Sequence, residues 1–178
     1  FKTIKIGDSS VNQVFIGENN PLVFIGGPCA IESKAHTLFM AEKIHKICTD
    51  LKIPWIFKSC YDKDCRSSKD SFHGLGIKKG LEILSIVRKT FKVPVVSDFS
   101  DPSWAKETGE ICDLIQVPAY LCRQTTILRS AAETKKPIHL KKGQFMSPWN
   151  MKNSVKKLEK FGCESILLTD RGTFFGYN

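Results

Sequence analysis

Six basic residues, Lys58, Lys63, Arg66, Arg123, Lys141 and Arg171, recur at one kind of position along the chain. Lys58 and Lys141 end the short apolar runs Trp55-Ile56-Phe57 and Ile138-His139-Leu140. Lys63 and Arg66 follow in the stretch after the first of these. Arg123 lies just past Leu114-Ile115-Gln116-Val117, and Arg171 just past Ile166-Leu167-Leu168-Thr169. Cations at the ends of successive apolar runs form a pattern that scattered surface lysines would not produce. If the runs are parallel strands, their C-terminal ends share one face, which is where α/β folds bind ligands. The ligand such a face calls for is small and carries several negative charges.

The stretches around these cations supply the rest of the chemistry. Lys58-Ser59-Cys60-Tyr61-Asp62-Lys63-Asp64-Cys65-Arg66-Ser67-Ser68 combines three cations with hydroxyls, which suits phosphate. Read blandly, it is a solvated charged loop, but long loops on α/β scaffolds are usually functional. Gln116-Val117-Pro118-Ala119-Tyr120-Leu121-Cys122-Arg123, Lys141-Lys142-Gly143-Gln144-Phe145 and Asp170-Arg171-Gly172-Thr173 each set a cation near Gly or Pro. Backbone N–H groups are open to an anion there. Gly26-Gly27-Pro28-Cys29 has two readings: a tight turn capping the next helix, or a thiolate, Cys29, facing the ligand as a metal donor.

The elements that must hold these residues follow from periodicity. Ile4-Lys5-Ile6 and Val14-Phe15-Ile16 flank Gly7-Asp8-Ser9-Ser10 and read as an N-terminal hairpin. Barrel strands are expected at 22–25, 55–58, 93–98, 114–117, 138–141 and 166–169. Helical spacing over 34–51 has apolar positions at Leu38, Ala41, Ile44, Ile47, Cys48 and Leu51, behind a Ser33 N-cap. Further helices are expected at about 77–90, from Asp101-Pro102, at 125–134, and from Ser147-Pro148 to about Phe161. The strands are near-continuous apolar runs, as in sheets buried on both faces. Repeated βα steps mean a parallel α/β fold. Candidate residues after nearly every strand, not at one switch point, favour a TIM (β/α)8 barrel over an open doubly wound sheet. A full barrel takes about 250 residues. The pattern here covers about six βα units in a single partial barrel domain, residues 1–178, with strands seven and eight absent from the sequence.

Bulk properties narrow the partners. The chain has 178 residues, 42% hydrophobic and 25% charged, as in a soluble globular domain. No apolar run approaches the roughly 18 residues of a membrane span, and the first residues lack the apolar core of a signal peptide. A cytoplasmic location follows by default. The net charge of +9 admits nucleic acid, anionic membrane or anionic metabolites. There is no basic stripe with interleaved aromatics, so neither nucleic acid nor membrane is expected as a partner. Seven cysteines without a Cys-x-x-Cys pair fit reduced thiols, with Cys48 and Cys163 buried as small apolar residues.

Taken together, the motifs resemble the 3-deoxy-D-manno-octulosonate 8-phosphate synthase family. Gly-Gly-Pro-Cys-Ala-Ile-Glu-Ser, Phe-Lys-Ser, Arg-Ser-Ser, Gln-Val-Pro-Ala-Tyr-Leu-Cys-Arg-Gln-Thr, Lys-Lys-Gly-Gln-Phe and Asp-Arg-Gly-Thr-x-Phe-Gly-Tyr-Asn occur in family order over almost the whole chain. The resemblance implies a TIM barrel, a homotetramer, and condensation of phosphoenolpyruvate with arabinose 5-phosphate. It implies that Lys63, Lys141 and Arg171 hold the phosphate and carboxylate of phosphoenolpyruvate. Gln116 and the Ala119 backbone would line that pocket, and Lys58 and Asp98 would complete its polar floor. Arg66 and Ser67 would take the sugar phosphate, and Arg123 would reach that phosphate in a neighbouring subunit.

Cys29 places the chain with the metal-dependent members, whose divalent ion could be iron, zinc, manganese or cobalt. The family's other ligands are a His, a Glu and an Asp, and none of His36, His45, His73 or His139 matches them. Three positions depart from the family's pattern. Cys65 replaces the usual Asn that contacts the sugar phosphate, Ser100 stands where many members have His, and His139 stands where Asn is common. The sister 3-deoxy-D-arabino-heptulosonate 7-phosphate synthases typically carry Lys-Pro-Arg-[Thr/Ser] after the second barrel strand. The longer loop here favours the five-carbon sugar. A non-catalytic anion-binding fragment is the reading from another class.

Overall fold

A computed structural model describes residues 2–174. The terminal Phe175, Gly176, Tyr177 and Asn178, which complete the last motif, lie outside the described residues. Strands β1 (Ile4–Ile6) and β2 (Val14–Ile16) pair antiparallel, Ile4 opposite Ile16, and form the expected hairpin. Then come β3 (Phe24–Gly26), α1 (Lys34–Asp50), β4 (Trp55–Lys58), α2 (Ile77–Phe91), β5 (Val95–Asp98), α3 (Ala105–Ile111) and β6 (Leu114–Val117). The chain continues through α4 (Thr125–Glu133), β7 (Ile138–Lys141), α5 (Met151–Lys160) and β8 (Ile166–Thr169). Strands β3 to β8 form a parallel sheet in chain order, β3-β4-β5-β6-β7-β8. A doubly wound sheet reverses its strand order at a switch point, whereas a barrel never does. Sequential order is therefore the topology of a partial TIM barrel, as expected.

Two compact units can be distinguished. The first comprises residues 1–97 and 111–114, and the second residues 98–110 and 115–178.

In the first unit, Phe24 pairs with Trp55 and Phe57 with Val95. Ile31, Ile56, Phe57, Leu84, Val87 and Val95 are fully buried. Burial of such side chains contributes about 1.5–3 kcal/mol each. The Ser33 cap is present, its Oγ accepting from His36 N–H at 3.1 Å. Helix α1 departs from the expected stripe. Ala41 and Cys48 are buried, but Ile47 and Leu51 are exposed, and Thr37 takes a buried place by donating its hydroxyl to Ser33 O at 2.7 Å. Strand β3 begins two residues later than expected. Phe24 N–H donates to Pro54 O at 2.9 Å, and Pro54 has no N–H with which to extend the ladder, so Leu22 stays 92% exposed.

An arginine ties the hairpin to this unit. Arg88 on α2 makes a bidentate pair with Asp113, Nε to Oδ2 at 2.9 Å and Nη2 to Oδ1 at 2.8 Å. Its Nη2 also meets Asp8 Oδ2 at 2.8 Å, and its Nη1 donates to Ser10 Oγ at 2.8 Å. Asp113 in turn accepts from Val95 N–H at 3.1 Å, at the start of β5. Hydrogen bonds and charge from Asp113, and then from Asp8, raise the Arg88 pKa further above its already high value, against the opposing effect of burial. The hairpin is thus fixed at the N-terminal ends of the strands, away from the expected ligand face.

In the second unit, Ile115 pairs with Ile138, and Ile138 with Ile166. Leu128, Ala131, Ile138, Leu140 and Leu158 are fully buried, and α4 packs beside α5. The segments after β5 and β7 open with single 3-10 turns, Pro102–Trp104 and Pro148–Asn150, before α3 and α5 begin. Proline at the first helical positions fixes these starts, as expected from the sequence.

Candidate active site

The expected residues of the first unit lie at or beyond the C-terminal ends of β3 and β4. The two ends meet closely. A Cβ on Gly27 would sit 2.1 Å from Lys58 O, so only glycine allows this approach. Cys60 N–H donates to Cys29 O at 3.4 Å, Ile31 N–H to Cys60 O at 2.9 Å, and Ser59 Oγ to Pro28 O at 2.8 Å. These bonds bring Cys29 beside the β4 end. Lys58 is half-buried, with its Nζ 3.2 Å from Cys60 Sγ.

Beyond Cys60 the chain forms a long loop closed at a neck. Tyr61 is fully buried, and Lys63 N–H donates to His73 O at 2.6 Å. Gly76 N–H donates to Tyr61 O at 3.1 Å. A Cβ on Gly80, on α2, would lie 2.1 Å from Tyr61 Cβ, so the neck is seated directly on that helix. Lys63 is half-buried at the neck, whereas Cys65, Arg66 and Ser67 are exposed beyond it. Arg66 N–H donates to Lys63 O at 3.2 Å.

In the second unit the candidates again occupy strand ends. Asp98 ends β5 and is half-buried. Gln116 on β6 is 1% exposed, and its Oε1 has no hydrogen-bond partner among the described residues. A buried side-chain amide in that condition is costly unless a ligand or water satisfies it. Ala119 is buried in the one-turn helix Ala119–Leu121 that follows. Arg123 is exposed and lines a surface cleft with Phe145, Met146, Asn150, Asn153 and Lys157.

Lys141 ends β7 opposite Thr169 of β8, and Arg171 follows two residues after Thr169, exposed. His139 departs from the family's usual residue. Its Nε2 hydrogen-bonds the Thr169 hydroxyl, which makes it a cross-strand link. A Cβ on Gly143 would be 3.1 Å from Ala119 O, so the turn after β7 abuts the turn after β6.

Two further residues stand out that the charge pattern did not single out. Gln144 is 5% exposed, with its Oε1 unpartnered among the described residues. Lys142 is 2% exposed, although it adjoins Lys141 in sequence. Strand alternation was the available signal, because neighbouring residues on a strand face opposite ways. The Lys142 Nζ lies 3.1 Å from Met146 O, 2.5 Å from Gly172 O, 3.2 Å from Thr173 Oγ1 and 3.4 Å from Asp170 Oδ1. Desolvation raises the Asp170 pKa, but the Gly172 N–H and the Lys142 ammonium outweigh it and hold the carboxyl below its ordinary value.

Cys29 is the one metal donor that the sequence singled out. Cys29 is exposed, and among the described residues no three His, Cys, Asp or Glu side chains gather to hold an ion. Such a thiol fits one position of a mixed-donor site, and the described residues do not complete the set. No helix among them is long and apolar enough to cross a membrane.

Parallel strands in sequential order, with the candidate cations at or beyond their C-terminal ends, define a protein of the TIM-barrel class. The chain belongs to the DAHP synthetase I family, whose model it matches over residues 3–178. It is 53% identical over 168 residues to the 2-dehydro-3-deoxyphosphooctonate aldolase of Rickettsia felis, covering 94% of this chain and 61% of that protein. The protein of the same name from Rickettsia bellii is 50% identical over 177 residues, covering 99% of this chain and 63% of that one. The chain thus spans about three-fifths of the length of these relatives.

Proposed function

We propose that the protein condenses phosphoenolpyruvate with D-arabinose 5-phosphate and water, giving 3-deoxy-D-manno-octulosonate 8-phosphate and phosphate. The observation that carries this reading is the strand-end placement of the cations in a chain about half identical to proteins named for that product. Such a product feeds the inner-core sugar of lipopolysaccharide. The relatives' name favours this reaction over the heptulosonate synthase alternative, as does the long loop after β4.

The residues take their roles from the resemblance. Lys63, Lys141 and Arg171 neutralise the phosphate and carboxylate of phosphoenolpyruvate. The Ala119 N–H and the Gln116 amide orient it, and the unpartnered Gln116 oxygen supports a ligand there. Lys58 and Asp98 complete the floor. Arg66 and Ser67, with Cys65 in the place of the usual Asn, take the sugar phosphate. The enol carbon forms a C–C bond to the aldehyde carbon, whose oxygen gains a proton. Water adds to the second carbon of the former phosphoenolpyruvate, losing a proton. The C–O bond to phosphate then breaks as the added hydroxyl gives up its proton to the departing phosphate, leaving the keto acid and inorganic phosphate. Preplaced cations stabilise the anionic groups without solvent reorganisation. Holding two phosphorylated substrates in one cleft costs mutual repulsion, which the basic residues offset.

Cys29 would be one protein ligand of a divalent metal, which would supply Lewis-acid charge. The small anionic substrates are cytoplasmic metabolites, and all seven cysteines are free, which supports a cytoplasmic home. A homotetramer, with Arg123 reaching a neighbouring site, accords with the exposure of Arg123, Tyr120 and Trp149.

The test is phosphate release from phosphoenolpyruvate by the full-length protein, with arabinose 5-phosphate or erythrose 4-phosphate, with and without a chelator, beside Cys29→Ala. Release with the five-carbon sugar, abolished by chelation and by Cys29→Ala, is expected. Release only with the four-carbon sugar would move the protein to the sister activity. Release that survives chelation would remove the metal role of Cys29.

A further inference from the structure

We infer that Lys142 is a positioning residue: its buried ammonium fastens the loop carrying Arg171 to the end of the strand carrying Lys141. The inference rests on the reading above for what Arg171 binds. The observation itself is independent of that reading, because Lys142 and the oxygens around it all lie within the second unit.

A lysine ammonium has three protons and no acceptor, and its burial is costly unless oxygens surround it. Here the oxygens come from two places. Met146 O belongs to the turn after β7. Gly172 O, Thr173 Oγ1 and Asp170 Oδ1 belong to the loop after β8, on either side of Arg171. The side chain therefore joins residues about thirty positions apart in sequence. Backbone bonds close the same joint, with Lys142 N–H donating to Thr169 O at 2.9 Å and Phe174 N–H to Gln144 O at 3.1 Å.

Arg171 itself is exposed, and β8 is only partly buried. The Lys142 clamp sets the backbone on both sides of Arg171, and so sets where the guanidinium can reach. Lys141, one residue earlier, is assigned to the same ligand, so one strand end supplies both a binding cation and the fastening of the next one. The division of labour is between adjacent lysines on opposite sides of a strand. A ligand anion held by both Lys141 and Arg171 needs their separation fixed, because misplacement by about 1 Å can cost about a hundredfold in rate.

The experiment is a double-mutant cycle on the full-length protein, Lys142→Met and Arg171→Ala singly and together. Lys142→Met should raise the KM for phosphoenolpyruvate about 10- to 100-fold, as expected for lost hydrogen bonds to a charged group. The sugar KM should stay near wild type. In the Arg171→Ala background, Lys142→Met should add little. Equal cost in both backgrounds, or a fall in melting temperature with an unchanged phosphoenolpyruvate KM, would overturn the inference in favour of a purely structural lysine. If Lys142→Met does not fold, Asp170→Asn and Thr173→Val each remove one partner of the ammonium from exposed positions. Both should raise the same KM by a smaller factor, and no change in either would overturn the inference.

A second readout does not depend on turnover. Trypsin can cut after Arg171, and mass spectrometry reads that cut directly. Freed of the clamp, the bond should be cut at least about tenfold faster in Lys142→Met, since cleavage tracks local opening. Equal cleavage rates would overturn the clamp whatever the activity. If the wild-type protein releases phosphate with neither aldose while cleavage still accelerates in Lys142→Met, the proposed function alone fails.

Discussion

The loop after β4 and the loops after β7 and β8 solve one problem in opposite ways. Each presents cations at strand ends. The β4 loop is held at its neck, through the buried Tyr61 and the Lys63–His73 and Tyr61–Gly76 backbone bonds, and its residues 64–70 are exposed. The β7 and β8 loops are joined through the interior by Lys142, while Arg171 and its neighbours face outward. One device leaves its tip adaptable and the other leaves its cation little freedom. The difference matches the ligands assigned to them. A sugar phosphate at the end of a long substrate tolerates adjustment, whereas a carboxylate and phosphate next to the reacting carbons do not.

The largest effect is expected at the fixed end. Lys141→Ala should lower kcat/KM for phosphoenolpyruvate by about 10²- to 10³-fold, the usual scale for losing one preorganised donor to developing charge. Steady-state kinetics with both substrates varied will show whether the loss is confined to phosphoenolpyruvate. Arg66→Ala, on the adaptable loop, should be milder. We expect about a 10- to 100-fold rise in the KM for arabinose 5-phosphate and a smaller change in kcat. If Arg66→Ala lowers kcat as severely as Lys141→Ala, the contrast between the two loops breaks.

Gly27→Ala tests the base of the adaptable loop, not its tip. The new methyl would meet Lys58 O at 2.1 Å, so the β3 and β4 ends must separate. We expect a destabilisation of about 1–3 kcal/mol by chemical denaturation, with Lys58 displaced. The smallest effect concerns the hairpin. Hydrogen bonds from the Ser10 hydroxyl and N–H, opposed by slight desolvation and aided by Arg88, hold the Asp8 pKa well below the ordinary carboxylate range. A depressed folded pKa stabilises above the unfolded pKa of about 4 and is lost as pH falls toward the folded value. Asp8→Asn should therefore flatten the acid limb of a stability–pH profile below about pH 4. Asp8 is exposed, so the loss at neutral pH should stay under about 1 kcal/mol.

Much of this architecture was legible in the sequence, for physical reasons that can be named. Short apolar runs, two of them ended by a lysine, have few alternatives to a buried parallel strand, so the sequence places β4, β6, β7 and β8 to the residue. Ser33 and Pro148 marked helix starts because capping and proline act locally. What escaped depends on partners distant in sequence. Leu22 reads as strand, yet Pro54 on the neighbouring strand cannot extend the ladder to it. Ile47 and Leu51 fit the helical stripe, yet lie exposed while Thr37 is buried. Lys141 and Lys142 are indistinguishable by composition, and although strand alternation turns them opposite ways, it is the oxygens of Met146 and of residues 170–173 that mark Lys142 as the internal one. Gln116 was named through resemblance, and its unpartnered oxygen became visible only once neighbouring strands enclosed it.

The neck below Cys65, Arg66 and Ser67 also bears on how such proteins can diversify. A loop fastened by backbone bonds at residues 61, 63, 73 and 76 can have its tip rewritten without disturbing any core side chain. Exchanging residues 64–72 as a cassette, from a relative that prefers another aldose, becomes a practical route to altered sugar choice. The segments around Lys142 offer no such seam, because every exchange there would also have to reproduce the oxygen cage of a buried ammonium.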